Sequence, residues 1–300
     1  MGQNAKKLTG VFAPVVTPFR GDEVAFEDLR FNLQKLSPTR LTGYLALGSN
    51  GESGSLSEKE ENQVLEVFAQ EKGRKVVMVG AGCESTRQTI EKSRAASKMG
   101  FDCVSILTPH YFAKRMDGPT LRGYYEAVAD SVDIPVVLYN APGFAGGVEI
   151  PPQTVLELSR HPNIIGIKDS SPTGPGKFLA CLDPADDFHV LAGSANFFYP
   201  ALHLGAAGGV LSLANILPGP CCELYGLFTQ GRYDEARNLH FRLARLNQAI
   251  SGAYGVAGVK VAMELAGFRG GEPRHPLRPV SDEDIRRIKD KMMSEGFLLS

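Results

Sequence analysis

The stretch IPVVLYNAPGFAGGVEIPPQTVLELSRHPNIIGIKDSS, residues 134–171, contains the pattern of a strand, a helix and a second strand. The apolar runs IPVVLYNAP (134–142) and IIGIKDS (164–170) are continuous rather than alternating, which is typical of strands buried on both faces of a parallel sheet. Between them, PQTVLELSRH (152–161) has a helical pattern. Parallel strands need a crossover of this kind, so the stretch predicts a βαβ unit.

The same alternation of apolar runs and helical patterns continues along most of the chain. The best-defined helix, LSEKEENQVLEVFAQEKG (56–73), opens with a capping box formed by Ser57 and Glu60 and ends at Gly73. Eight strands, each followed by a helix, predict an α/β protein of the (β/α)8 TIM-barrel class, which typically needs about 250 residues. The six further predicted strands are GVFAPVVTP (10–18), GYLALGS (43–49), KVVMVGAG (75–82), CVSILTP (103–109), FHVLAGS (188–194) and GGVLSLA (208–214).

The last third of the chain has a different pattern, because no strand-like run follows residue 218. We therefore expect a barrel over residues 1–218 and a C-terminal helical extension, packed on the barrel, over residues 219–300. A doubly wound sheet is the alternative, but GAGCES (80–85) lacks the third glycine of a dinucleotide-binding fingerprint. The helical patterns of the extension are YDEARNLHFRLARLNQAI (233–250), VKVAMELAGF (259–268) and SDEDIRRIKDKMMSEG (281–296).

The amino-acid composition argues against several functional classes of protein. The 300 residues are 43% hydrophobic and 22% charged, with a formal net charge of −1, which argues against a nucleic-acid-binding protein. No apolar run approaches the roughly 18 residues needed to cross a bilayer, so no membrane association is expected. The five cysteines are scattered without metal-like spacing, which predicts reduced thiols and a cytoplasmic location.

In a parallel barrel the active site lies at the carboxyl ends of the strands. These ends carry no metal-ligand cluster, no carboxylate pair and no serine–histidine–aspartate set, so we predict neither a metal nor a cofactor. What they do carry is one lysine, two tyrosines, hydroxyl groups and a turn bracketed by glycines. The segments are GSNGES (48–53), TPHY (108–111), YNAP (139–142), KDSS (168–171) and AGSANF (192–197).

Lys168 lies at the end of an apolar strand, a position that suits Schiff-base chemistry. An apolar barrel mouth disfavours the charged ammonium, and a neutral amine can attack a ketone to form an imine that acts as an electron sink. Tyrosine hydroxyls can relay protons, and the 48–53 turn can aim backbone N–H groups at a carboxylate. The alternatives are a lysine that is solvated or paired with Asp169, a tyrosine that only packs, and a plain strand-to-helix turn.

Three of these segments resemble the signatures of the dihydrodipicolinate synthase/N-acetylneuraminate lyase superfamily of class I aldolases. GSNGES matches its G-[TS]-x-G-E turn, VVLYNAP (136–142) its Y-N-x-P segment and NIIGIKDSS (163–171) its G-[IM]-K-[DE] strand. The resemblance covers essentially the whole chain. It implies a metal-independent enzyme that acts on a small 2-oxo acid and assembles as a homotetramer, a dimer of dimers.

By position, the resemblance also implies roles for individual residues. Lys168 would form the Schiff base, and Tyr139 would shuttle protons and orient the substrate. Ser49 would bind the keto-acid carboxylate together with the neighbouring Asn50 and Gly51. Tyr111 would reach into a neighbouring subunit's site and relay protons with Ser49 and Tyr139.

A residue that follows the Y-N-x-P segment differs between family members and bears on the identity of the second substrate. Dihydrodipicolinate synthases carry an arginine there that binds a carboxylate; here the residue is Phe144, which cannot replace a guanidinium clamp. Other stretches, such as VLAGSANF (190–197), look closest to 4-hydroxy-2-oxoglutarate aldolases.

The sequence therefore predicts cleavage of a 4-hydroxy-2-oxo acid to pyruvate and an aldehyde such as glyoxylate. We expect Phe144, Gly193 and Ser194 to line the substrate site. The alternatives are a dihydrodipicolinate synthase that condenses pyruvate with aspartate semialdehyde, a deoxy-sugar-acid aldolase, and a non-catalytic keto-acid-binding relative.

Overall fold

Eight parallel strands close into a barrel in the computed structural model, which describes residues 8–183 and 187–298. Around the barrel the strand order is β1-β10-β9-β8-β7-β6-β5-β4, so the predicted (β/α)8 class is confirmed. The barrel strands are β1 (Gly10–Pro14), β4 (Gly43–Ala46), β5 (Val76–Gly80), β6 (Cys103–Leu107), β7 (Val136–Asn140), β8 (Ile164–Asp169), β9 (His189–Ala192) and β10 (Gly208–Val210).

A small hairpin outside the barrel was not predicted. Strands β2 (Phe19–Arg20) and β3 (Glu23–Val24) pair antiparallel, and Gly21 makes the turn at a φ of +58°. Two-residue strands are too short to produce a period in the sequence, which explains why they were missed.

Eleven helices are present in the described residues, and α2 has the expected start. The Ser57 side chain accepts from the Glu60 N–H, and the Glu60 carboxylate accepts from the Ser57 N–H at 2.8 Å. The helix Gly176–Leu179 was missed because it has only 4 residues, and the helix Pro218–Thr229 lies in the predicted helical extension although its bounds were not predicted. The helices are α1 (Phe26–Leu36), α2 (Glu58–Glu71), α3 (Thr86–Lys98), α4 (Gly118–Asp130), α5 (Pro152–Leu158), α6 (Gly176–Leu179), α7 (Phe198–His203), α8 (Pro218–Thr229), α9 (Tyr233–Asn247), α10 (Ala253–Leu265) and α11 (Asp282–Ser294).

None of the helices within residues 8–183 and 187–298 is long and apolar enough to cross a membrane. The chain divides into two compact units. The first comprises the residues up to Gly10, Val76–Gly193 and Pro200–Val210; the second comprises Val11–Lys75, Ser194–Tyr199 and the residues from Leu211 onward. Lys168 and Tyr139 therefore belong to the first unit, and the 48–53 turn belongs to the second.

In the first unit the backbones of β10 and β1 approach closely at Gly208. A Cβ atom added there would lie 2.0 Å from the Gly10 carbonyl oxygen and 2.7 Å from its nitrogen. Both are backbone atoms that cannot rotate away. Only glycine fits this position without moving a strand.

We expect Gly208→Ala to lower the free energy of unfolding by about 2 to 3 kcal/mol, because the added methyl group overpacks the strand contact. Gly226→Ala is the matched control, since Gly226 lies inside α8 with no atom within 4 Å of the added Cβ. That change should instead raise stability by about 0.5 to 1 kcal/mol. Chemical denaturation measures both values, and equal effects would contradict the close approach.

Candidate active site

Lys168 and Tyr139 are brought together by the register of β7 and β8. Their Cα atoms are paired in the parallel ladder, so both side chains project from the same face of the sheet. The Lys168 Nζ lies 3.9 Å from the centroid of the Tyr139 ring. Lys168 is 4% exposed and Tyr139 is 5% exposed, so the amine lies in a largely desolvated position beside an aromatic face.

Asp169 is not the counter-ion of Lys168. Consecutive residues of a strand point to opposite faces, and the Asp169 side chain contacts Asn140 and Ser171 instead. Within the described part of the chain, the Lys168 Nζ makes neither a hydrogen bond nor an ion pair. The alternative in which this lysine is a charge neutralised by its neighbour is therefore wrong.

Asp169 instead belongs to a buried polar network on the opposite face of the sheet. Its carboxylate accepts from Asn140 Nδ2 at 2.7 Å and from the Ser171 hydroxyl at 2.8 Å. The Asn140 Oδ1 in turn accepts from the Ile150 N–H at 2.9 Å. This network closes the base of the loop that carries Phe144. The sequence indicates this network only indirectly. Tyr-Asn and Lys-Asp end two adjacent strands, but the strand register is needed to show that Asn140 and Asp169 are paired.

Phe144 and Tyr111 are exposed on loops of the first unit. Phe144 ends the 3-10 turn Pro142–Phe144 and is 60% exposed, so this position offers a substrate no charged group. Tyr111 is 78% exposed and stacks edge-on against Phe112. The Glu84 carboxylate holds its loop by accepting from the His110 N–H at 2.9 Å and the Tyr111 N–H at 2.8 Å.

Gly193 follows β9, where its surroundings leave no room for a Cβ atom. Its N–H donates to the Asp169 carbonyl at 2.7 Å, and an added Cβ would lie 2.0 Å from the Ser170 hydroxyl oxygen. Gly193 thus lies within the first unit, beside the end of β8. Ser194 begins a segment of the second unit, where its hydroxyl accepts from the Asn196 N–H at 3.2 Å and from Asn247 Nδ2 at 3.3 Å.

The predicted carboxylate turn is a short 3-10 helix, Ser49–Gly51, that follows β4 in the second unit. Thr17 Oγ1 donates to the Gly51 carbonyl at 2.7 Å, and Asn50 Nδ2 donates to the Ser212 hydroxyl at 2.7 Å. The N–H groups that open a helix have no acceptor inside it and are oriented outward. The turn is therefore fixed on both sides, and its leading N–H groups suit an anion.

A buried lysine beside a tyrosine ring, at the carboxyl ends of two barrel strands, suits the covalent chemistry of a lysine nucleophile. The model of the dihydrodipicolinate synthetase family matches residues 7–295. The chain belongs to this family and is an enzyme of the class I type, which forms a Schiff base between a lysine and pyruvate.

Individual relatives agree with this assignment over nearly the full chain. The 4-hydroxy-tetrahydrodipicolinate synthase of Methanospirillum hungatei JF-1 is 37% identical over 286 residues, which cover 94% of this chain and 97% of the relative. A solved structure described as the first monomeric dihydrodipicolinate synthase variant has a TM-score of 0.90 at 27% identity, covering 99% of this chain and 100% of its own. The chloride-inhibited dihydrodipicolinate synthase from Acinetobacter baumannii, complexed with pyruvate, has a TM-score of 0.88 at 27% identity. The match covers 97% of this chain and 99% of that structure's chain.

The buried network beneath the Phe144 loop leads to a prediction for Asn140→Ala. The change leaves an Asp169 oxygen and the Ile150 N–H without their partner, which should cost about 2 to 4 kcal/mol of stability. In hydrogen exchange, the Ile150 amide should lose its protection.

Asn163→Ala is the matched control for this change. Asn163 donates to the carbonyls of Ala129, Val132 and Ile134 in the same unit, away from the loop. We expect it to reduce stability but to leave Ile150 protected under native conditions. Equal loss of protection in both variants would contradict the assigned role of the network.

Proposed function

We propose that Lys168 is the lysine that forms the Schiff base, in an enzyme that cleaves a 4-hydroxy-2-oxo acid. The neutral amine attacks the C2 carbonyl, and loss of water gives a protonated imine. Tyr139 accepts the proton of the C4 hydroxyl as the C3–C4 bond breaks, which releases the aldehyde and moves the electron pair towards the imine nitrogen. The resulting enamine is protonated at C3, and hydrolysis then frees pyruvate and the amine.

The observation that carries this proposal is the contrast between two buried lysines. Lys168 is buried without a hydrogen bond or ion pair to any described residue, beside an aromatic face. Lys260 is also buried, but its Nζ lies 2.5 Å from Glu52 Oε1 and 2.7 Å from the Glu272 carbonyl oxygen. An amine held by a carboxylate is not available as a nucleophile, whereas the amine of Lys168 has no such competitor.

The substrate carboxylate is assigned to the hydroxyl of Ser49 and to the N–H groups of Ser49 and Asn50, which open the turn; the Gly51 N–H instead donates to the Gly48 carbonyl at 2.9 Å. The orientation of those N–H groups supports this assignment, as does the general rule that barrel enzymes bind substrates at strand carboxyl ends. Gly193 and Ser194 are assigned to the same end of the barrel by their position after β9. Their contact with substrate remains a prediction.

Two observations point to different second substrates. The relatives' names favour the synthase reaction, in which pyruvate condenses with aspartate semialdehyde, over the cleavage that the sequence first suggested. Phe144 argues against the synthase reaction, because an exposed apolar ring cannot bind the carboxylate of an amino-acid aldehyde as an arginine would. Glyoxylate also carries a carboxylate, so Phe144 favours a cleavage that releases an aldehyde without one, as in a deoxy-sugar-acid aldolase. Both reactions would pass through a pyruvate enamine on Lys168. The synthase adds this enamine to aspartate semialdehyde, whereas the cleavage generates it as the aldehyde leaves.

Tyr111 is assigned to the active site of a second copy, within a homotetramer built from dimers. Its exposure and its stacking on the exposed Phe112 support a partner surface, since large aromatic side chains are enriched at interfaces. The name of one structural neighbour describes a monomeric variant, so the fold itself does not require assembly. A cytoplasmic location remains a prediction, supported by the observation that none of the five cysteines forms a disulfide within the described residues.

Treatment with pyruvate and borohydride should reduce an imine and add a stable mass to the peptide that contains Lys168. Lys168→Met should abolish this adduct and the turnover, because its side chain keeps the apolar stem but has no amine. Lys177→Met is the control: that lysine pairs with Glu149 at 2.6 Å in the same unit and should be dispensable. An adduct that survives in Lys168→Met would refute the proposal.

Phe144→Arg tests which aldehyde the enzyme accepts. The new guanidinium should raise condensation of pyruvate with aspartate semialdehyde, relative to condensation with an aldehyde that has no carboxylate, by about tenfold, the scale of one charged hydrogen bond. Phe112→Arg adds the same charge at a second exposed aromatic position and should leave this ratio unchanged. An unchanged ratio in Phe144→Arg would show that this loop does not line the aldehyde site.

A further inference from the structure

A buried lysine–carboxylate pair lies outside the chemistry described so far. In the second unit, Glu52 is 5% exposed and Lys260 is fully buried, and the Nζ–Oε1 distance is 2.5 Å. The Lys260 Nζ also lies 4.5 Å from the centroid of the Phe19 ring. The pair joins the residue directly after the Ser49–Gly51 turn to the middle of helix α10.

The backbone at Glu52 is unusual and needs support. Its φ is +49°, in the left-handed region that residues other than glycine rarely adopt. Its second carboxylate oxygen accepts from the Arg274 N–H at 2.9 Å, and its own N–H closes the turn by donating to the Ser49 carbonyl at 3.1 Å. The side chain is thus anchored at both oxygens while the backbone bears the strain.

Lys260 is itself held in place. Its Nζ donates to the Glu272 carbonyl, and Gly270 packs so closely that an added Cβ would lie 2.1 Å from the Lys260 carbonyl oxygen. Burial lowers the pKa of Lys260 to about 8, although the facing Glu52 opposes this shift. Two apolar residues would often be as stable as such a pair, so its presence favours a role in specifying geometry.

We propose that Glu52 and Lys260 are positioning residues that fix the Ser49–Gly51 turn in the conformation that binds the substrate carboxylate. The pair touches neither the substrate nor the reacting atoms. It acts by holding Glu52 in its left-handed conformation, which sets the direction of the N–H groups one turn earlier. This inference rests on the proposed function of the turn.

The test compares how the trapping of pyruvate on Lys168 depends on pyruvate concentration. Lys260→Met removes the charge but keeps the length of the side chain, and Glu52→Gln keeps the shape and acceptor of the carboxylate. Both should raise the half-saturating pyruvate concentration by about tenfold, because a displaced turn binds the carboxylate less well. At saturation the adduct on Lys168 should still form, since the amine itself is unchanged.

Glu295→Gln is the matched control. Glu295 pairs with Arg245 at 2.8 Å within the same unit, between α9 and the end of α11, and does not contact the turn. We expect it to lower the melting temperature without changing half-saturation. Lys260→Met leaves the buried Glu52 carboxylate unpaired. If that variant fails to fold, the double variant E52Q/K260M, which has no unpaired carboxylate, replaces Lys260→Met in the comparison.

The outcomes separate this inference from the proposed function. No adduct on Lys168 in the unmodified enzyme would overturn the proposed function. An adduct in every protein, with half-saturation in the pair variants no higher than in Glu295→Gln, would overturn the positioning role alone. A rise confined to the pair variants, with the adduct retained at saturation, would support it.

Discussion

The parallel register between β7 and β8 is the constraint on which the rest of the site depends. It pairs Tyr139 with Lys168 and Asn140 with Asp169. Because strand side chains alternate between faces, one pair forms the desolvated amine and its aromatic neighbour, and the other forms the buried network beneath the Phe144 loop. A slip of one residue would exchange the two faces and put an aspartate where the amine is needed.

The two buried lysines illustrate how environment decides function. Lys168 and Lys260 are both withdrawn from water, yet only Lys260 has a carboxylate within ion-pair distance among the described residues. Charge neutralisation makes Lys260 a structural cation. Lys168 has no carboxylate partner among these residues, which is why we propose it, and not Lys260, as the nucleophile.

The barrel could be predicted from the sequence. The strands of a parallel sheet are buried on both faces, so they appear in the sequence as continuous apolar runs between capped helices. Lys168 and Tyr139 were selected from the sequence because the strand-end rule and the family signatures point to the same residues, and the structure places the two side by side; their catalytic roles stay predictions. The Asp169–Asn140 network and the Glu52–Lys260 pair could not. The first depends on register between strands, and the second joins residues 208 positions apart, which no local period reveals.

The central claim is that the amine of Lys168 forms the covalent bond to the 2-oxo acid. A crystal structure of the enzyme soaked with pyruvate tests this most directly. We expect continuous electron density from the Lys168 Nζ to C2 of pyruvate, with Lys260 still paired to Glu52. Pyruvate bound without a covalent bond, or bonded to any other lysine, would contradict it.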